Sequence, residues 1–349
     1  MPRKTAVLKD PLFLEHDPGY DHVESPERLG AIYQALARPE EGGAFFYPEC
    51  EPAAYDDLAA NHTPEYIERV AETAGKQFDV LDPDTHTSPR SYEAAVLAAG
   101  AVITGLKLMA AGEADNAAAL VRPPGHHAEA DRGKGFCLFN NIAIGARYGL
   151  KHLGMERIFI LDWDLHHGNG TQHAFYDTDQ VLYCSTHQYP YYPGTGSLRE
   201  TGAGKGEGYT LNVPLPGGQG DQDFARIMNE LVAPVARQYR PDCLMISAGY
   251  DTHVSDPLGT MAVTTTGFAY LTRIMVALAA ELCEGRLVLV LEGGYHLQGL
   301  ADGVLASLHE MAGEGGLESS RALNALAQAK KPLPPLDAAL TVAKKYWTF

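Results

Sequence analysis

Six short apolar runs, each followed by polar residues, constrain the fold of this chain most strongly. They alternate with longer stretches that show helical patterning. Nearly continuous apolar character indicates strands covered on both faces, which is typical of a parallel sheet with helices on either side. The predicted strands are KTAVLKD (4–10), AAALVRP (117–123), RIFILDWD (157–164), QVLYCSTH (180–187), DCLMISAGYD (242–251) and RLVLVLEGGY (286–295).

The segments between these runs predict helices. Ser25 followed by Pro26 indicates an N-cap with proline at the first helical position. The alanine-rich segment 91–111 suits a buried helix, and a third long helix is expected over 267–282. Asp221 is expected to cap a helix that carries the apolar residues Phe224, Ile227, Met228, Leu231 and Val235. No internal repeat or linker divides the chain, so the pattern predicts one α/β domain.

Composition excludes some classes of partner. The formal charge of −17 argues against a nucleic-acid backbone or an anionic membrane as the main partner. It would suit a cationic substrate, although solubility alone explains most acidic surfaces. The hydrophobic content of 45% is ordinary for a soluble globular protein with a sizeable core. We therefore predict no nucleic-acid partner and no membrane partner.

Cysteine usage and the first residues indicate the compartment. The five cysteines are odd in number and scattered without a CxxC pair, which favours buried free thiols in a reducing compartment. The first residues, MPRKTAVLKD, lack the apolar region of a signal peptide. No stretch approaches the roughly 18 uninterrupted apolar residues of a membrane span. We expect a cytoplasmic protein.

Polar residues fall at the ends of four predicted strands. LVRPPGHHAE, FILDWDLHHGNG, MISAGYDTH and LVLEGGYH each run from an apolar strand directly into chemically reactive side chains. In open parallel sheets, ligands bind at the carboxyl ends of the strands. The pattern therefore predicts one site at one edge of the sheet.

The DWDLH sequence predicts part of a metal site. Asp164 and His166 are two residues apart, so in an extended backbone they point the same way. A third ligand from another strand end would complete the set of three protein ligands typical of catalytic zinc, and Asp251 is the best candidate. The alternation of side chains along a strand does not distinguish Asp164 from Asp162 as the ligand, because both point to the same side as His166.

Two further motifs lie at predicted strand ends, and the first of them indicates catalysis. His126 and His127 are adjacent on a turn, where two charged imidazoles would repel, so at least one is expected to stay neutral. A neutral imidazole near a metal-bound water is a good general base. In Gly293-Gly294-Tyr295 a phenol follows two flexible residues and could donate a hydrogen bond to an oxyanion. Taken alone, however, this motif favours a structural turn.

Together these motifs resemble the zinc-dependent histone deacetylase family, in its class II branch. That branch includes bacterial histone deacetylase-like amidohydrolases and acetylpolyamine amidohydrolases. The resemblance implies a single arginase-like α/β domain over 1–349 around an eight-stranded, mostly parallel sheet. Its core would span about 10–310, and a helical extension about 311–349. Within that extension the sequence pattern predicts a looser segment from Gly313 to Leu336, where KKPLPPL breaks regular structure, and a short C-terminal helix after it. The matching segments are 16–29, 122–141, 162–172, 192–196, 249–259 and 291–296.

The resemblance also implies the metals. The zinc ligands would be Asp164, His166 and Asp251, and iron(II) in place of zinc in the cell stays open. Structural potassium would bind at two sites. The first would use Asp162, Asp164, His166, Ser185 and Thr186, and the second Phe175, Thr178, Val181 and Tyr209.

The implied reaction is hydrolysis of an N-acyl amine. Asp162 would partner His126 and draw it towards the cation, whereas Asn169 would orient His127 and leave it neutral as the base. Zinc would polarise the carbonyl and acidify its water, while Tyr295 helps to hold the oxyanion. Because Tyr295 is not the histidine of weakly active animal relatives, we expect efficient deacetylation. His127 would then protonate the leaving amine, with His126 as the alternative donor.

The implied tunnel walls are Phe136 and Tyr192, with Gly135 along one side. Two facing aromatic rings clasp an aliphatic chain such as that of lysine. Leu258 occupies the position where polyamine-selective animal relatives carry glutamate, and the segment from Pro11 to Arg28 looks short for a bacterial acetylpolyamine hydrolase. Acyl-lysine in proteins or peptides is therefore the first substrate choice, and acetylpolyamine or another small acylated amine the second.

Several alternatives and unknowns remain open from the sequence. A binuclear manganese ureohydrolase would share the fold but would lack the His-His and Gly-Gly-Tyr motifs. A binding module with a vestigial site should have lost one of the reactive residues, and none is missing. Asp84 and Thr85 are expected at the rim, and His167 is given a structural place behind the site. The oligomeric state, including a homo-oligomer, is left open.

Overall fold

A seven-stranded parallel sheet forms the centre of the computed structural model, which describes residues 3–38, 41, 43, 45–314, 325–326, 328, 330 and 332–349. The strand order is β1-β4-β9-β8-β5-β6-β7. The strands are β1 (Thr5–Leu8), β4 (Asn116–Ala119), β5 (Ile158–Asp162), β6 (Val181–Gln188), β7 (Thr210–Leu215), β8 (Cys243–Ala248) and β9 (Leu287–Leu291). The hairpin of β2 (Asp79–Asp82) and β3 (Thr85–Thr87) stands apart.

All six predicted strands are confirmed. The hairpin strands β2 and β3 were missed, and so was β7. Its sequence, TLNVPL, contains polar residues and a proline that weaken a strand prediction. Pro214 is tolerated there because β7 lies at the edge of the sheet, where a missing N–H group breaks no ladder on the outer side.

The expected eighth strand is wrong for the described residues. At the outer edge of β1, Phe46 forms a single parallel bridge with Ala6. Val7 N donates to Phe46 O at 2.9 Å, and Phe46 N donates to Thr5 O at 3.2 Å. The next bond of a parallel ladder would need an N–H group from residue 48, which is proline. Pairing therefore stops after one residue.

Helices form two layers around the sheet. Helix α4 packs against α5 and contacts β1, β4 and β9, whereas α1, α10 and α9 form a second layer. The α-helices are α1 (Pro26–Leu36), α2 (Tyr55–Leu58), α3 (Pro64–Ala71), α4 (Ser91–Ala110), α5 (Asn141–His152), α6 (Asn169–Ala174), α7 (Asp221–Ile227), α8 (Ala233–Tyr239), α9 (Thr265–Leu282), α10 (Leu297–Ala312) and α11 (Pro334–Ala343). Short 3-10 helices cover Pro11–Leu14 and Gly204–Gly206, and a π-helical turn covers Met228–Val232.

One predicted helix cap is wrong. Asp221 is the first residue of α7, and Gly220 N is instead bonded to the side chain of Asp223 at 3.1 Å. The Asp221 carboxylate accepts hydrogen bonds from the backbone N and the hydroxyl of Thr264, each at 2.7 Å. Thr264 is the N-cap of α9, so Asp221 joins the starts of two helices.

Helix α4 is buried, as predicted. It is the one helix among the described residues long and apolar enough to cross a membrane, yet 72% of its most apolar window is buried inside the protein. Its contacts with α5 and three strands are those of a core helix. All five cysteines are buried free thiols. Much of the looser segment expected from Gly313 to Leu336 lies outside the described residues, but its last residues are helical, because α11 begins at Pro334.

Candidate active site

The four polar strand ends meet at one edge of the sheet, as the sequence predicts. Strands β4, β9, β8 and β5 are consecutive neighbours in the sheet, and all run in the same direction. Their carboxyl ends therefore place His126 and His127, Asp162 to His167, Asp251, and Tyr295 around a common centre.

Asp164, His166 and Asp251 form a possible metal centre. One oxygen or nitrogen atom from each side chain lies within 4.8 Å of the others, and all three residues are buried. His166 Nδ1 lies 3.2 Å from Asp164 Oδ1 and 3.1 Å from Asp251 Oδ2. Two buried carboxylates so close together repel unless a cation compensates them. The geometry also distinguishes Asp164 from Asp162. The Asp162 carboxylate contacts His126 and Tyr183 and is not part of the triad.

The surroundings of this triad suit a divalent metal. Backbone N–H groups bond to the outer carboxylate oxygens, from Gly293 to Asp164 Oδ2 at 2.9 Å and from Leu165 to Asp251 Oδ1 at 2.8 Å. A Cβ atom at Gly249 or Gly293 would collide with these carboxylates, so glycine keeps the centre open. Two oxygen donors and one imidazole, with no thiolate, fit zinc and also iron(II).

His126 is paired with Asp162. Its Nδ1 lies 3.1 Å from Asp162 Oδ2, which also accepts a hydrogen bond from the Tyr183 hydroxyl at 2.9 Å. Burial acts to lower the pKa of His126, but the carboxylates of Asp164 and Asp162 outweigh it and raise that pKa to about 10. The two carboxylates therefore favour the imidazolium form of His126.

His127 is paired with Asn169 and behaves in the opposite way. Its Nδ1 lies 2.8 Å from Asn169 Oδ1, and its ring centroid is 4.0 Å from that of His126. Burial, followed by the positive charges of His126 and His166, lowers the pKa of His127 well below its ordinary value. His127 is thus neutral and available as a base, and both pKa shifts have the predicted direction.

A cavity of about 290 Å³ leads to these groups. The predicted tunnel residues Gly135, Phe136, Tyr192 and Leu258 all line it. The ring of Tyr192 meets that of His127 edge to face at 5.1 Å between centroids. Gly135 has φ +57°, and a Cβ atom there would collide with the His127 ring. The other lining residues are Asp84, Pro124, His126, Cys137, His166, Tyr191, Gly293 and Tyr295.

Tyr295 presents its phenol from the turn after β9. Asp256 Oδ2 accepts a hydrogen bond from Tyr295 N at 2.7 Å, and the Arg28 guanidinium lies 4.9 Å from the ring centroid. Burial raises the pKa of Tyr295 well above its ordinary value, although Arg28 opposes this. The hydroxyl therefore keeps its proton and can donate it in a hydrogen bond. Gly294, with φ +120°, makes the turn.

Sequence reasoning missed several residues of this site, among them Glu292, Tyr191 and Glu129. Glu292 accepts hydrogen bonds from Gly125 N at 2.7 Å and His126 N at 3.1 Å, and so holds the turn that carries the histidine pair. Its only signal was a carboxylate at the end of an apolar strand. Tyr191 stacks on His166 at 5.7 Å, and Glu129 contacts Asn169. Neither has a local signal.

The residues predicted for potassium lie in two groups. At the first, the ends of β5 and β6 are adjacent, with Asp162 opposite Ser185, and the Thr186 hydroxyl is 3.5 Å from Asp162 O. Asp164 and His166 follow on the same segment. The second group, Phe175, Thr178, Val181 and Tyr209, spans the turn between α6 and β6 and the residue before β7. Tyr209 O already accepts a hydrogen bond from Tyr183 N at 2.9 Å.

The structure also places the residues predicted at the rim, Asp84 and Thr85, and the histidine predicted behind the site, His167. Asp84 Oδ1 accepts a hydrogen bond from Gly135 N at 2.9 Å, and Phe136 N donates to the Thr85 hydroxyl at 3.1 Å, so this pair holds the tunnel wall. His167 is buried between Thr195 and Gln172, with its ring nitrogens at 2.7 and 2.9 Å from their side-chain oxygens.

Comparison with known proteins identifies the family. The model of the histone deacetylase domain matches residues 22–311, and the chain belongs to that family. A probable deacetylase of Archaeoglobus fulgidus is 44% identical over 84% of this chain and 82% of its own. The chloroplastic histone deacetylase 10 of Oryza sativa is 40% identical, and the alignment covers 85% of this chain and 71% of the rice protein.

A solved structure supports the same assignment. The crystal structure of the HDA15 HD domain aligns with a TM-score of 0.86 at 33% identity, and the alignment covers 99% of each chain. The arginase-like fold implied by the resemblance is confirmed, with seven strands in the described sheet. The protein is therefore a deacetylase, a hydrolase acting on acetyl amides.

Proposed function

We propose that this deacetylase hydrolyses the acetyl amide of acyl-lysine in proteins or peptides, with zinc held by Asp164, His166 and Asp251. The tunnel carries this proposal. Phe136 and Tyr192 line a cavity of about 290 Å³ that ends at His127 and Tyr295. Aromatic walls suit the four-carbon chain of lysine, and they leave the rest of a peptide outside the protein.

The side chains supply the proton transfers. A zinc ion bound at the triad would polarise the acyl carbonyl and acidify a water molecule. His127 is neutral and faces the cavity, so it takes the proton of the attacking water. Tyr295 donates a hydrogen bond to the oxygen on which negative charge develops, and His126 adds a positive charge nearby. The proton then passes from His127 to the leaving amine, with His126 as the alternative donor.

Two features favour acyl-lysine over acetylpolyamine. Leu258 lines the cavity with an apolar side chain, so no carboxylate at this position pairs with a distal ammonium group. Lys134 Nζ lies 5.3 Å from the centroid of the Tyr192 ring, where its positive charge repels a polycation. Asp84, which also lines the cavity, favours the second candidate, an acetylated polyamine.

Substrate choice is tested by comparing kcat/KM on acetyl-lysine peptides, trifluoroacetyl-lysine peptides and acetylated polyamines. We expect the peptides to be preferred. A preference of about a hundredfold or more for acetylpolyamines, equal to about 2.7 kcal/mol of transition-state binding, would contradict the proposal. Leu258→Glu should raise activity on acetylpolyamines, whereas the uncharged Leu258→Gln should not.

Metal analysis tests the rest of the proposal. We expect one zinc or iron per chain, with binding lost in Asp251→Asn. Two manganese ions per chain would support a ureohydrolase instead. Absence of turnover by metal-loaded protein that still binds acetyl-lysine would support a binding module.

Potassium at the two predicted groups and a cytoplasmic location are further proposals. Potassium binding would appear as a rise in melting temperature when sodium is replaced by potassium at equal ionic strength. Fractionation of the source cells tests the second.

A further inference from the structure

A chain of hydrogen bonds runs from His127 to the protein surface. His127 Nδ1 lies 2.8 Å from Asn169 Oδ1, and Asn169 Nδ2 donates to Glu129 Oε1 at 2.5 Å. His173 Nδ1 lies 2.9 Å from both oxygens of Glu129. The side chain of His173 is 50% exposed, whereas that of Glu129 is 15% exposed. Glu129 therefore separates the buried histidine from solvent, and the mechanism above gives it no role.

The chemistry of these groups fixes the direction of every bond. An amide side chain could point either its oxygen or its NH₂ group at His127. The Glu129 carboxylate can only accept hydrogen bonds, and so can the carbonyl oxygen of His127, which lies 3.3 Å from Asn169 Nδ2. Both must receive the NH₂ group of Asn169. The amide oxygen is then left to face His127 Nδ1, which must carry the proton.

We propose that Glu129 is a positioning residue that sets the tautomer of His127 through the amide of Asn169. With its proton on Nδ1, a neutral His127 has a free electron pair on Nε2, the nitrogen that must accept a proton during hydrolysis. Without Glu129, the amide of Asn169 is held in this orientation only by the long contact of its Nδ2 with His127 O at 3.3 Å, so it can turn round and donate to Nδ1 instead. The proton of His127 then moves to Nε2, and the base is lost.

Glu129 is itself held firmly enough for this role. His62 Nε2 accepts a hydrogen bond from Asn140 N at 2.9 Å, so its other nitrogen, Nδ1, donates to Glu129 O at 2.9 Å. Glu129 N donates to Arg132 O at 2.9 Å. Burial acts to raise the pKa of Glu129, but the hydrogen bonds from His173 and Asn169 outweigh it and lower that pKa. The side chain is therefore an acceptor at neutral pH.

The first test removes the acceptor. Glu129→Leu should lower kcat on an acetyl-lysine peptide by about 10- to 100-fold, the loss that is usual for a residue that orients a catalytic group. The KM, the metal content and the melting temperature should stay nearly unchanged. Long-range ¹H–¹⁵N NMR of zinc-loaded, ¹⁵N-histidine-labelled protein should show the proton of His127 on Nδ1 in the parent and on Nε2 in the variant. The matched control, His173→Ala, removes the outer partner but keeps the carboxylate, so it should keep the Nδ1 tautomer.

The second test is a rescue. A carboxylate at position 169 can only accept, so it fixes the proton on Nδ1 whatever stands at position 129. Asn169→Asp should therefore restore the proton on Nδ1 in Glu129→Leu. Because the new carboxylate also raises the pKa of His127, the lost kcat should return chiefly at higher pH, where His127 is neutral. An unchanged tautomer in Glu129→Leu, or failure of the rescue in a folded, metal-loaded double variant, would overturn the inference. The activity readout rests on the proposed function, but the tautomer does not. A parent that fails to hydrolyse acyl-lysine therefore leaves the NMR comparison decisive.

Discussion

Adjacent residues of one chemical type differ sharply at this site because their partners differ. His126 faces the carboxylate of Asp162, and His127 faces the amide of Asn169. A buried anion stabilises an imidazolium, whereas a neutral amide cannot offset the cost of burying a charge. The same backbone turn therefore presents one cation and one neutral base to the cavity.

Loss of the Tyr295 hydroxyl should slow turnover without weakening substrate binding. The phenol is expected to donate its hydrogen bond chiefly to the oxyanion, which exists only in the transition state. We expect Tyr295→Phe to lower kcat by about 10²- to 10³-fold with KM little changed, as measured by steady-state kinetics. Tyr20→Phe, at a fully exposed ring, should leave kcat unaltered. A loss confined to KM would show that the hydroxyl binds substrate instead.

Gly135 should be intolerant of a methyl group because of His127. Its φ of +57° and the collision with the His127 ring act together in Gly135→Ala. Gly112 has a similar φ of +70° but open space around it, so Gly112→Ala shares the backbone strain alone. Both variants should lose stability by about 1 kcal/mol or more from the backbone. Only Gly135→Ala should lose activity when the two are compared at a temperature where both are folded.

Two helix glycines should respond in opposite ways to alanine. A Cβ atom at Gly100 in α4 would lie 2.7 Å from the carbonyl carbon of Pro52, and backbone cannot move aside cheaply. Gly30 in α1 has nothing within 4 Å. Urea unfolding should show Gly100→Ala destabilised by about 1–3 kcal/mol. Gly30→Ala should be stabilised by up to about 1 kcal/mol, because alanine is the better helix former. Equal effects would show that the α4 contact is loose.

Elements whose signal is local could be predicted from the sequence, and those that depend on partners could not. The six buried strands are continuous apolar runs, but β7 mixes polar residues with Pro214 and pairs only at an edge. The helix predicted after Asp221 is interrupted by a π-helical turn, where Ala233 N donates to Met228 O. The next residue, Pro234, has no N–H group, which favours such a local change of pitch.

The site divides in the same way. Asp164, His166, His126 and His127 stand in short motifs directly after strands, so their types and spacing could be interpreted without a structure. Glu129 meets Asn169 across 40 positions of sequence, and Glu292 meets Gly125 across 167. Both carboxylates stand beside the reactive motifs, but their position in the sequence carries no sign of such distant partners. Only the folded arrangement of β4, β5 and β9 brings these groups together.

Across the whole molecule, several histidines are buried without charge. Burial lowers the pKa of both His62 and His167 to about 4, and that of His16 and His187 also lies below the ordinary value. Each takes up a proton more readily in the unfolded chain than in the folded protein. The contribution of these four histidines to stability therefore falls as the pH drops, since each of them binds its proton more readily in the unfolded state.

The contribution of His62 to the pH dependence of stability is large enough to measure. Its pKa of about 4 in the folded protein lies below the ordinary value of about 6.5, so its contribution is complete above pH 6.5 and is lost as the pH falls towards 4. By proton linkage the loss amounts to about 3 kcal/mol of unfolding free energy at pH 4. Glutamine can donate to Glu129 O and accept from Asn140 N as His62 does, but it does not titrate.

The parent and His62→Gln should therefore converge in stability as the pH is lowered. Urea unfolding at several pH values between 7 and 4 would measure both proteins, and the acid response of every other group cancels in the difference. We expect the advantage of the parent to shrink by about 3 kcal/mol over this range. Parallel curves would mean that His62 is already charged, or equally accessible to protons, in the folded protein. Its two hydrogen bonds, with a backbone carbonyl as one partner and a backbone N–H as the other, argue against that outcome because an imidazolium could not accept the bond from Asn140 N.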